Sequence, residues 1–427
     1  MTPMDRLYVT GGARLAGDIR VSGAKNSALK LMAASLLTPG WTRLHNIPRI
    51  MDCTLMGEVL EHLGARVEWN ANSVAIDGSE LRSVEAPYEL VRRMRASIVV
   101  LGPLLARAGR ARVAMPGGDN IGSRPIDLHV NGLRKMGAEI GSEHGFLNAE
   151  APTGLRGAAI TLDYPSVGAT ENLMMAAVAA RGTTVIDNAA REPEIADLAA
   201  FLTSMGARIG GAGSSTIEID GVDVFAPTEH AVIADRIEAG TWAVAAVATS
   251  GDVTLHAARA DHLELLLAKL ADAGATVALT HDGLRVRQPE RPRAMDFVTL
   301  PYPGVATDLQ PVLMAMLATA NGTSIATENV FESRFLYVDE LKRMGADIHR
   351  EGHHAVIRGV ERLSAAPVHA LDIRAGAAMV IAALSADGVT EVSEMHHVDR
   401  GYEDFEQKLT ALGASVRRGN DLPVTVP

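Results

Sequence analysis

The stretch LEHLGARVE, Leu60–Glu68, decides how the chain is organised, because its pattern returns five more times. In each copy an apolar-periodic segment typical of a helix ends at a glycine, which can adopt the left-handed conformation that closes a helix. An alanine and an alternating segment typical of a strand follow. The six glycines are 68 to 73 residues apart: Gly64, Gly137, Gly206, Gly274, Gly345 and Gly413.

A second pattern keeps the same period. The stretch GTTVIDN, Gly182–Asn188, is a turn followed by β-branched residues, and it too occurs in six versions. The chain therefore consists of six β/α units of about 70 residues, longer than the usual solenoid repeats of about 20–50 residues. We expect them to pack as three plus three into globular bodies, with HAVIADRIEAGT, residues 230–241, at the boundary.

Composition excludes several classes of protein. The 427 residues are 47% hydrophobic, and 40 basic against 51 acidic residues give a net charge of −11, which disfavours binding to nucleic acid or a membrane surface. A single cysteine, Cys53, rules out an intrachain disulfide; it lies in a predicted amphipathic helix, which favours a buried thiol over a reactive one. The apolar runs fall short of the roughly 18 residues of a membrane span, and the N-terminus lacks a signal-peptide core, so we expect a cytoplasmic protein.

Cofactor and metal signatures are missing from the sequence. The stretch GGAGSS, residues 210–215, predicts a turn between strands rather than a dinucleotide loop, and SGAKNSALK lacks the second glycine of a phosphate-binding loop. His396 and His397 are interpreted as a pair at a strand edge rather than as metal ligands. The sequence therefore predicts no cofactor and no metal site.

Four regions do not fit the repeat. Lys25 and Asn26 precede an apolar helix, where an anion is favoured, although a simple helix cap explains them as well. Residues 114–129, AMPGGDNIGSRPIDLH, set three glycines around an acid. Asp308 follows a Pro/Gly turn and is either functional or a helix N-cap. Three arginines occupy similar strand-to-helix turns of the second half and form either an anion clamp or surface ion pairs: Arg334, Arg374 and Arg400.

These stretches resemble the UDP-N-acetylglucosamine 1-carboxyvinyltransferases, a family of enolpyruvyl transferases. The resemblance covers nearly the whole chain and rests on SGAKNSALK, MRAS, NIGSRPIDLH, PSVGATENLMMAAV, NAAREPEI, DRIEAGT, PYPGVATDLQ, FESRFLYVDEL, DIRAGAA and VDRGYE. It implies an inside-out α/β barrel with two domains of three pseudo-repeated β/α units each and with the helices inward. The implied domains are residues 25–233 on the N-terminal side and residues 1–24 plus 234–427 on the C-terminal side, with the active site in a cleft that closes around the sugar nucleotide.

The resemblance also implies the reaction, its partners and its residues. The family transfers the enolpyruvyl group of phosphoenolpyruvate to the 3-hydroxyl of UDP-N-acetylglucosamine and releases phosphate, which opens peptidoglycan precursor synthesis. By resemblance Lys25, Arg124 and Arg400 hold phosphoenolpyruvate, Asn26 contacts the reacting centre, and Asp308 accepts the hydroxyl proton. The further substrate contacts are Arg95, Pro125, Ile126, Asp127, Leu128, Tyr164, Pro165, Ser166, Val167, Val330, Arg334, Asp372 and Arg374.

Two positions depart from the family pattern. Tyr164 stands where many members have lysine, which puts one nucleotide contact in doubt. Asp119 stands where most members carry the cysteine that serves as acid/base at C3 and is alkylated by fosfomycin, so we expect a fosfomycin-insensitive enzyme. Three alternatives stay open: a paralogue with another acceptor, a non-catalytic UDP-sugar-binding regulator, and a clamp without any site.

Overall fold

The repeated glycines have the backbone conformation that their pattern predicts. The computed structural model describes residues 5–115, 121–122 and 125–419. All six glycines have positive φ angles, between 90° and 114°. A strand begins within two residues of each, and the β-branched pattern forms a strand in all six copies, so both expectations are confirmed.

Six four-stranded sheets share one topology. In each, an edge strand runs parallel to its neighbour, and the other two pairings are antiparallel. Their orders are β14-β3-β5-β4, β6-β7-β9-β8, β10-β11-β13-β12, β16-β17-β15-β2, β18-β19-β21-β20 and β23-β25-β1-β26, and β22 pairs with β24. The strands are β1 Arg6–Thr10, β2 Ala16–Arg20, β3 Trp41–His45, β4 Arg66–Asn70, β5 Ser73–Asp77, β6 Glu85–Ala86, β7 Arg110–Ala114, β8 Glu139–Glu143, β9 Phe146–Glu150, β10 Ala159–Thr161, β11 Thr183–Asp187, β12 Arg208–Gly210, β13 Thr216–Asp220, β14 Glu229–Ala231, β15 Asp252–His256, β16 Thr276–Leu279, β17 Gly283–Arg287, β18 Phe297–Thr299, β19 Thr323–Glu328, β20 Asp347–Glu351, β21 His354–Arg358, β22 Leu363–Ser364, β23 Pro367–His369, β24 Ala386–Asp387, β25 Val389–Ser393 and β26 Ser415–Arg418.

Several helices are buried on every face. The α-helices are α1 Lys25–Ala34, α2 Met51–Leu63, α3 Tyr88–Val91, α4 Leu101–Ala108, α5 Asp127–Lys135, α6 Val167–Ala177, α7 Pro193–Ser204, α8 Arg236–Ala248, α9 Glu264–Asp272, α10 Gln310–Leu317, α11 Val338–Arg343, α12 Ile373–Leu384, α13 His396–Asp399 and α14 Phe405–Ala411. Every residue of α10 and α12 is buried, as is every residue of α8 after its first. A helix that is apolar all round belongs in a protein interior, which matches these sequences.

The chain divides into two compact units. One contains residues 5–22, 121–122 and 234–419, and the other contains residues 23–115 and 125–233. Each has its own apolar core, which includes Trp242 in the first and Phe201 in the second. Three strands complete sheets that are distant from them in sequence. β1 joins the sheet of the sixth repeat, β2 that of the fourth, and β14 that of the first.

Local expectations are met with two exceptions. Cys53 is fully buried within α2, and Gly211–Ser214 forms the turn between β12 and β13. His396 and His397 open α13 rather than lying at a strand edge, because the preceding strand ends at Ser393. Lys25 and Asn26 form the first turn of α1 rather than preceding it. Within the described part of the chain, no helix has the length and apolarity that a bilayer crossing requires.

Candidate functional site

Asp308 is the centre of one group of predicted site residues, within the unit of residues 234–419. It lies in the 3-10 turn Thr307–Leu309 that leads into α10, and no side chain caps that turn. Its carboxylate instead accepts from Arg334 Nη2 at 3.2 Å and from Arg374 Nε at 3.1 Å. The N-cap interpretation of Asp308 is therefore wrong. Two guanidinium groups fix the position of the carboxylate.

Both arginines keep a donor that the described residues do not satisfy. Their side chains are only 2% and 4% exposed, yet Arg334 Nε and Arg374 Nη1 have no hydrogen-bond partner among the described residues. The Nε2 of the buried Gln310 likewise finds no acceptor in the part of the chain that the structure describes, while its Oε1 accepts from Tyr337. Buried donors are almost always satisfied in folded proteins, so three unsatisfied donors in one region are typical of a ligand site.

The neighbouring loops are fixed by two carboxylates. Asp372 caps α12 by accepting from the backbone N–H groups of Arg374 and Ala375 at 2.7 and 2.9 Å. Glu328, which sequence reasoning missed, accepts from the Thr307 hydroxyl at 3.0 Å and from the Val330 N–H at 2.8 Å. Glu328 thus joins the turn that carries Asp308 to the loop that carries Val330.

Not every predicted arginine lies in this group. Arg334 and Arg374 meet at Asp308, so the surface ion-pair interpretation is wrong for these two. Arg400 follows α13 and is half-buried.

A group of possible metal ligands lies in the same region. Glu394, His396 and His397 each place one ligand atom within 4.8 Å of the others, a spacing that the sequence pattern did not predict.

Burial and neighbouring groups have opposite effects on the pKa of Arg374. Burial alone would lower the pKa of the Arg374 guanidinium, but the adjacent Tyr402, Asp308 and Asp235 together raise that pKa above its ordinary value. Arg374 Cζ lies 5.2 Å from the centroid of the Tyr402 ring. Arg374 is therefore a permanent cation at this position.

Lys25 is the centre of a second group, within the unit of residues 23–233. Its ammonium lies 3.0 Å from Asp52 Oδ2, and both residues are buried. One turn further along α1, Lys30 donates to the Asn26 carbonyl at 2.7 Å and lies 3.5 Å from Glu171. Asp52 and Glu171 carried no sequence signal beyond their place in apolar helices, which is why they were missed.

Most of the remaining predicted contacts of this unit lie on α5 and α6, whereas Arg95 begins the 3-10 helix Arg95–Val100. Pro125, Ile126, Asp127 and Leu128 lie at the start of α5, and Tyr164, Pro165, Ser166 and Val167 lie at the start of α6, where the Ser166 hydroxyl accepts from the Ala169 N–H at 3.3 Å. Tyr164 is 40% exposed. A cluster of helix N-termini suits an anionic ligand.

A buried histidine fixes these two helices to each other. The Asn172 amide lies 2.9 Å from His129 Nδ1, and burial together with the charge of Arg95 lowers the His129 pKa to about 4. Asn172 is also held by the Ile98 carbonyl and by the Gly102 N–H. His129 is therefore neutral, and its Nδ1 accepts from Asn172. Asp119 and Arg124 lie outside the described residues.

Comparison with known proteins places the chain in a family. The family described as EPSP synthase (3-phosphoshikimate 1-carboxyvinyltransferase) matches residues 9–409. The UDP-N-acetylglucosamine 1-carboxyvinyltransferase of Corynebacterium jeikeium (strain K411) is 56% identical over 414 residues, which are 97% of this chain and 99% of that protein. The protein of the same name from Mycobacterium tuberculosis (strain CDC 1551 / Oshkosh) is 54% identical over the same shares.

Solved structures show the same fold. The enolpyruvyl transferase NikO from Streptomyces tendae superimposes with a TM-score of 0.88 at 26% identity, over 97% of this chain and 99% of that one. The EPSP synthase from Acinetobacter baumannii, with a TM-score of 0.76 at 19% identity over 97% and 100%, shares the fold alone. With relatives above half identity along nearly its full length, the chain belongs to the enolpyruvyl transferase family, in the group of the UDP-N-acetylglucosamine 1-carboxyvinyltransferases.

Proposed function

We propose that this protein transfers the enolpyruvyl group of phosphoenolpyruvate to the 3-hydroxyl of UDP-N-acetylglucosamine, the step that opens peptidoglycan precursor synthesis in the cytoplasm. The observation that carries the proposal is the Asp308 carboxylate held between two buried arginines with donors to spare. A fixed carboxylate suits a general base, and spare guanidinium donors suit the anionic groups of phosphoenolpyruvate.

The chemistry is an addition followed by an elimination. Protonation of C3 of phosphoenolpyruvate makes C2 electrophilic, and the sugar oxygen bonds to C2 while its proton goes to Asp308. The product of this step is a tetrahedral phospho-ketal. Loss of a C3 proton then restores the double bond as the C2–O bond to phosphate breaks. No electrons are exchanged with a cofactor.

The other residues take roles that the family pattern supplies. Lys25, Arg124 and Arg400 bind phosphoenolpyruvate, and Asn26 contacts the reacting centre. Asp119 protonates and deprotonates C3. Arg95 lies near both substrates, and the starts of α5 and α6 bind the nucleotide. Val330 lies at the sugar, and Arg334, Asp372 and Arg374 complete the wall of the site on the C-terminal side. Charge-assisted contacts of this kind contribute roughly 1.5–3 kcal/mol each.

We assign each unit the inside-out barrel architecture, with boundaries after residues 24 and 233. Three sheets of one topology in each unit and helices buried on all faces support this assignment.

Phosphate release tests the function. Purified protein with phosphoenolpyruvate should release phosphate when UDP-N-acetylglucosamine is added, and mass spectrometry should show the enolpyruvyl ether. Other hydroxyl acceptors, including free N-acetylglucosamine and shikimate 3-phosphate, are the matched comparison. Faster release with one of these would indicate a paralogue with another acceptor, and nucleotide binding without any release would indicate a regulator.

A further inference from the structure

Tyr402 and Thr241 lie beside Arg374 and belong to no role described so far. Tyr402 is buried, two residues beyond Arg400, and its ring faces the Arg374 guanidinium. Its hydroxyl lies 2.9 Å from the Thr241 hydroxyl, on α8. Thr241 is the last residue of the stretch DRIEAGT, residues 235–241, and none of the roles proposed above falls on that stretch.

The direction of the protons between these hydroxyls follows from their partners. Thr241 Oγ1 lies 2.8 Å from the Ile237 carbonyl, which can only accept. A threonine hydroxyl has one proton, so that proton goes to Ile237. Tyr402 must then donate its own proton to Thr241, which leaves the tyrosine oxygen with only lone pairs to offer to any other group.

The Tyr402 side chain also lies beside a cation. Its ring centroid is 5.2 Å from Arg374 Cζ, and its hydroxyl is among the groups that raise the pKa of Arg374, while Arg374 Nε donates to Asp308 at 3.1 Å. The chain of contacts therefore runs from the Ile237 carbonyl through Thr241, Tyr402 and Arg374 to Asp308. In a buried, low-dielectric region an oriented hydroxyl dipole has a larger effect on a neighbouring charge than it has in water.

We propose that Tyr402 and Thr241 are positioning residues for Arg374, and that through Arg374 they set the orientation of Asp308 during proton transfer. This inference rests on the proposed role of Asp308 as the base. Displacement of a general base lowers kcat and leaves the affinity for substrate nearly unchanged, because the proton moves only in the transition state.

Removal of either hydroxyl tests this series of contacts. Tyr402→Phe keeps the ring and removes only the hydroxyl, and Thr241→Val keeps the shape of threonine. We expect each to lower kcat by about tenfold, the size of one hydrogen bond near a charge, with little change in KM for UDP-N-acetylglucosamine. Thr241→Ser keeps the hydroxyl and should recover most of the rate. Tyr8→Phe, a buried tyrosine on β1, is the matched control and should have unchanged kinetics.

Combination of the variants separates positioning from simple packing. The double variant Tyr402→Phe/Thr241→Val should be no slower than either single variant, because both substitutions interrupt the same series of contacts to Asp308. Independent, multiplying losses, or a wild-type kcat for Tyr402→Phe, would overturn the proposal. If Asp308→Asn were itself fully active, the proposed base would be wrong; an inactive Asp308→Asn beside a fully active Tyr402→Phe would overturn only the present inference.

Discussion

Lys25 and Asp52 form a buried ion pair, with Nζ and Oδ2 3.0 Å apart, at the first turns of α1 and α2. A buried ammonium is tolerated when a carboxylate compensates its charge, and removal of one partner of such a pair leaves the other charge uncompensated. The residue proposed to bind phosphoenolpyruvate is therefore held in place by an internal carboxylate before any substrate arrives.

Asp52→Asn should make the protein depend on its substrate for stability. We expect the ligand-free variant to lose about 3–5 kcal/mol of unfolding free energy, the usual cost of a broken buried pair. Phosphoenolpyruvate should recover part of that loss by compensating Lys25, so its shift of Tm should exceed the wild-type shift. Glu58→Gln, on the exposed face of the same helix, is the control. Equal ligand-induced shifts in Asp52→Asn and wild type would contradict the prediction.

Asp308→Asn should lower kcat by about 10²–10⁴-fold, the usual contribution of a general base. The amide oxygen still accepts from one arginine, so UDP-N-acetylglucosamine should bind nearly as well as before. Asp308→Ala should lose activity similarly and should also lower Tm, since Arg334 and Arg374 then keep two buried charges without their acceptor. Steady-state kinetics and calorimetry measure both effects; a near-normal kcat in either variant would remove Asp308 from the mechanism.

Asp119 should be replaceable by cysteine but not by asparagine. Asparagine cannot exchange a proton, so Asp119→Asn should lose turnover, whereas Asp119→Cys should keep it. A carboxylate is a far weaker nucleophile than a thiolate towards an epoxide, so the unmodified protein should resist fosfomycin and Asp119→Cys should be inactivated by it. Incubation with the drug followed by intact-protein mass spectrometry is the measurement, and a covalent adduct on the unmodified protein would refute the prediction.

His129 should make the protein less stable in mild acid. Its folded-state pKa of about 4 lies below the ordinary value of 6.5, so its contribution to stability is complete above pH 6.5 and is lost as the pH falls towards 4. The loss should reach about 2 kcal/mol by pH 5. His129→Gln, whose amide oxygen can still accept from Asn172, should remove this part of the pH dependence in urea unfolding. His144→Gln, at an exposed turn, should leave the dependence as it is in wild type.

Glu171 should have the opposite effect. Burial, offset in part by Lys30, raises its pKa from 4.5 to about 7, so the stability that its neutral form provides is complete below pH 4.5 and is lost as the pH rises through 7. Glu171→Gln keeps the neutral shape at every pH. It should therefore be more stable than wild type at pH 8, by up to about 3 kcal/mol, and nearly equal at pH 4.5. Glu218→Gln, exposed on β13, is the control, and an equal gain at both pH values would contradict this account.

The sequence predicts the repeated elements of this molecule well, but it predicts poorly which side chains contact one another. The six glycines and the strands beside them follow from local rules that every copy repeats, because a left-handed residue is needed wherever the helix turns into the strand. Asp308, Arg334 and Arg374 could be named as candidates, but sequence spacing does not say that residues 26 and 66 positions apart share one carboxylate.

Partners buried inside helices leave even less trace. Asp52, Glu171 and Asn172 occupy interior positions of apolar segments, where an ordinary pattern predicts a core residue or a solvated one. Their partners come from other helices, and a contact between helices depends on tertiary packing that hydrophobic periodicity does not encode. Among their neighbours, Lys25 was a candidate because of its place beside an apolar helix, whereas no role was predicted for His129.

The pairing of β1 with β25 and β26 imposes an order on biosynthesis. β1 leaves the ribosome long before its partners, which begin at residues 389 and 415. At about 5–20 residues per second, the apolar strand stays without them for roughly 20–80 s. By contrast, every strand that residues 23–233 need has been made once β14 emerges at residue 231. That unit can finish folding on the ribosome while β1 still lacks its partners, so β1 is a segment that chaperones would need to protect during synthesis.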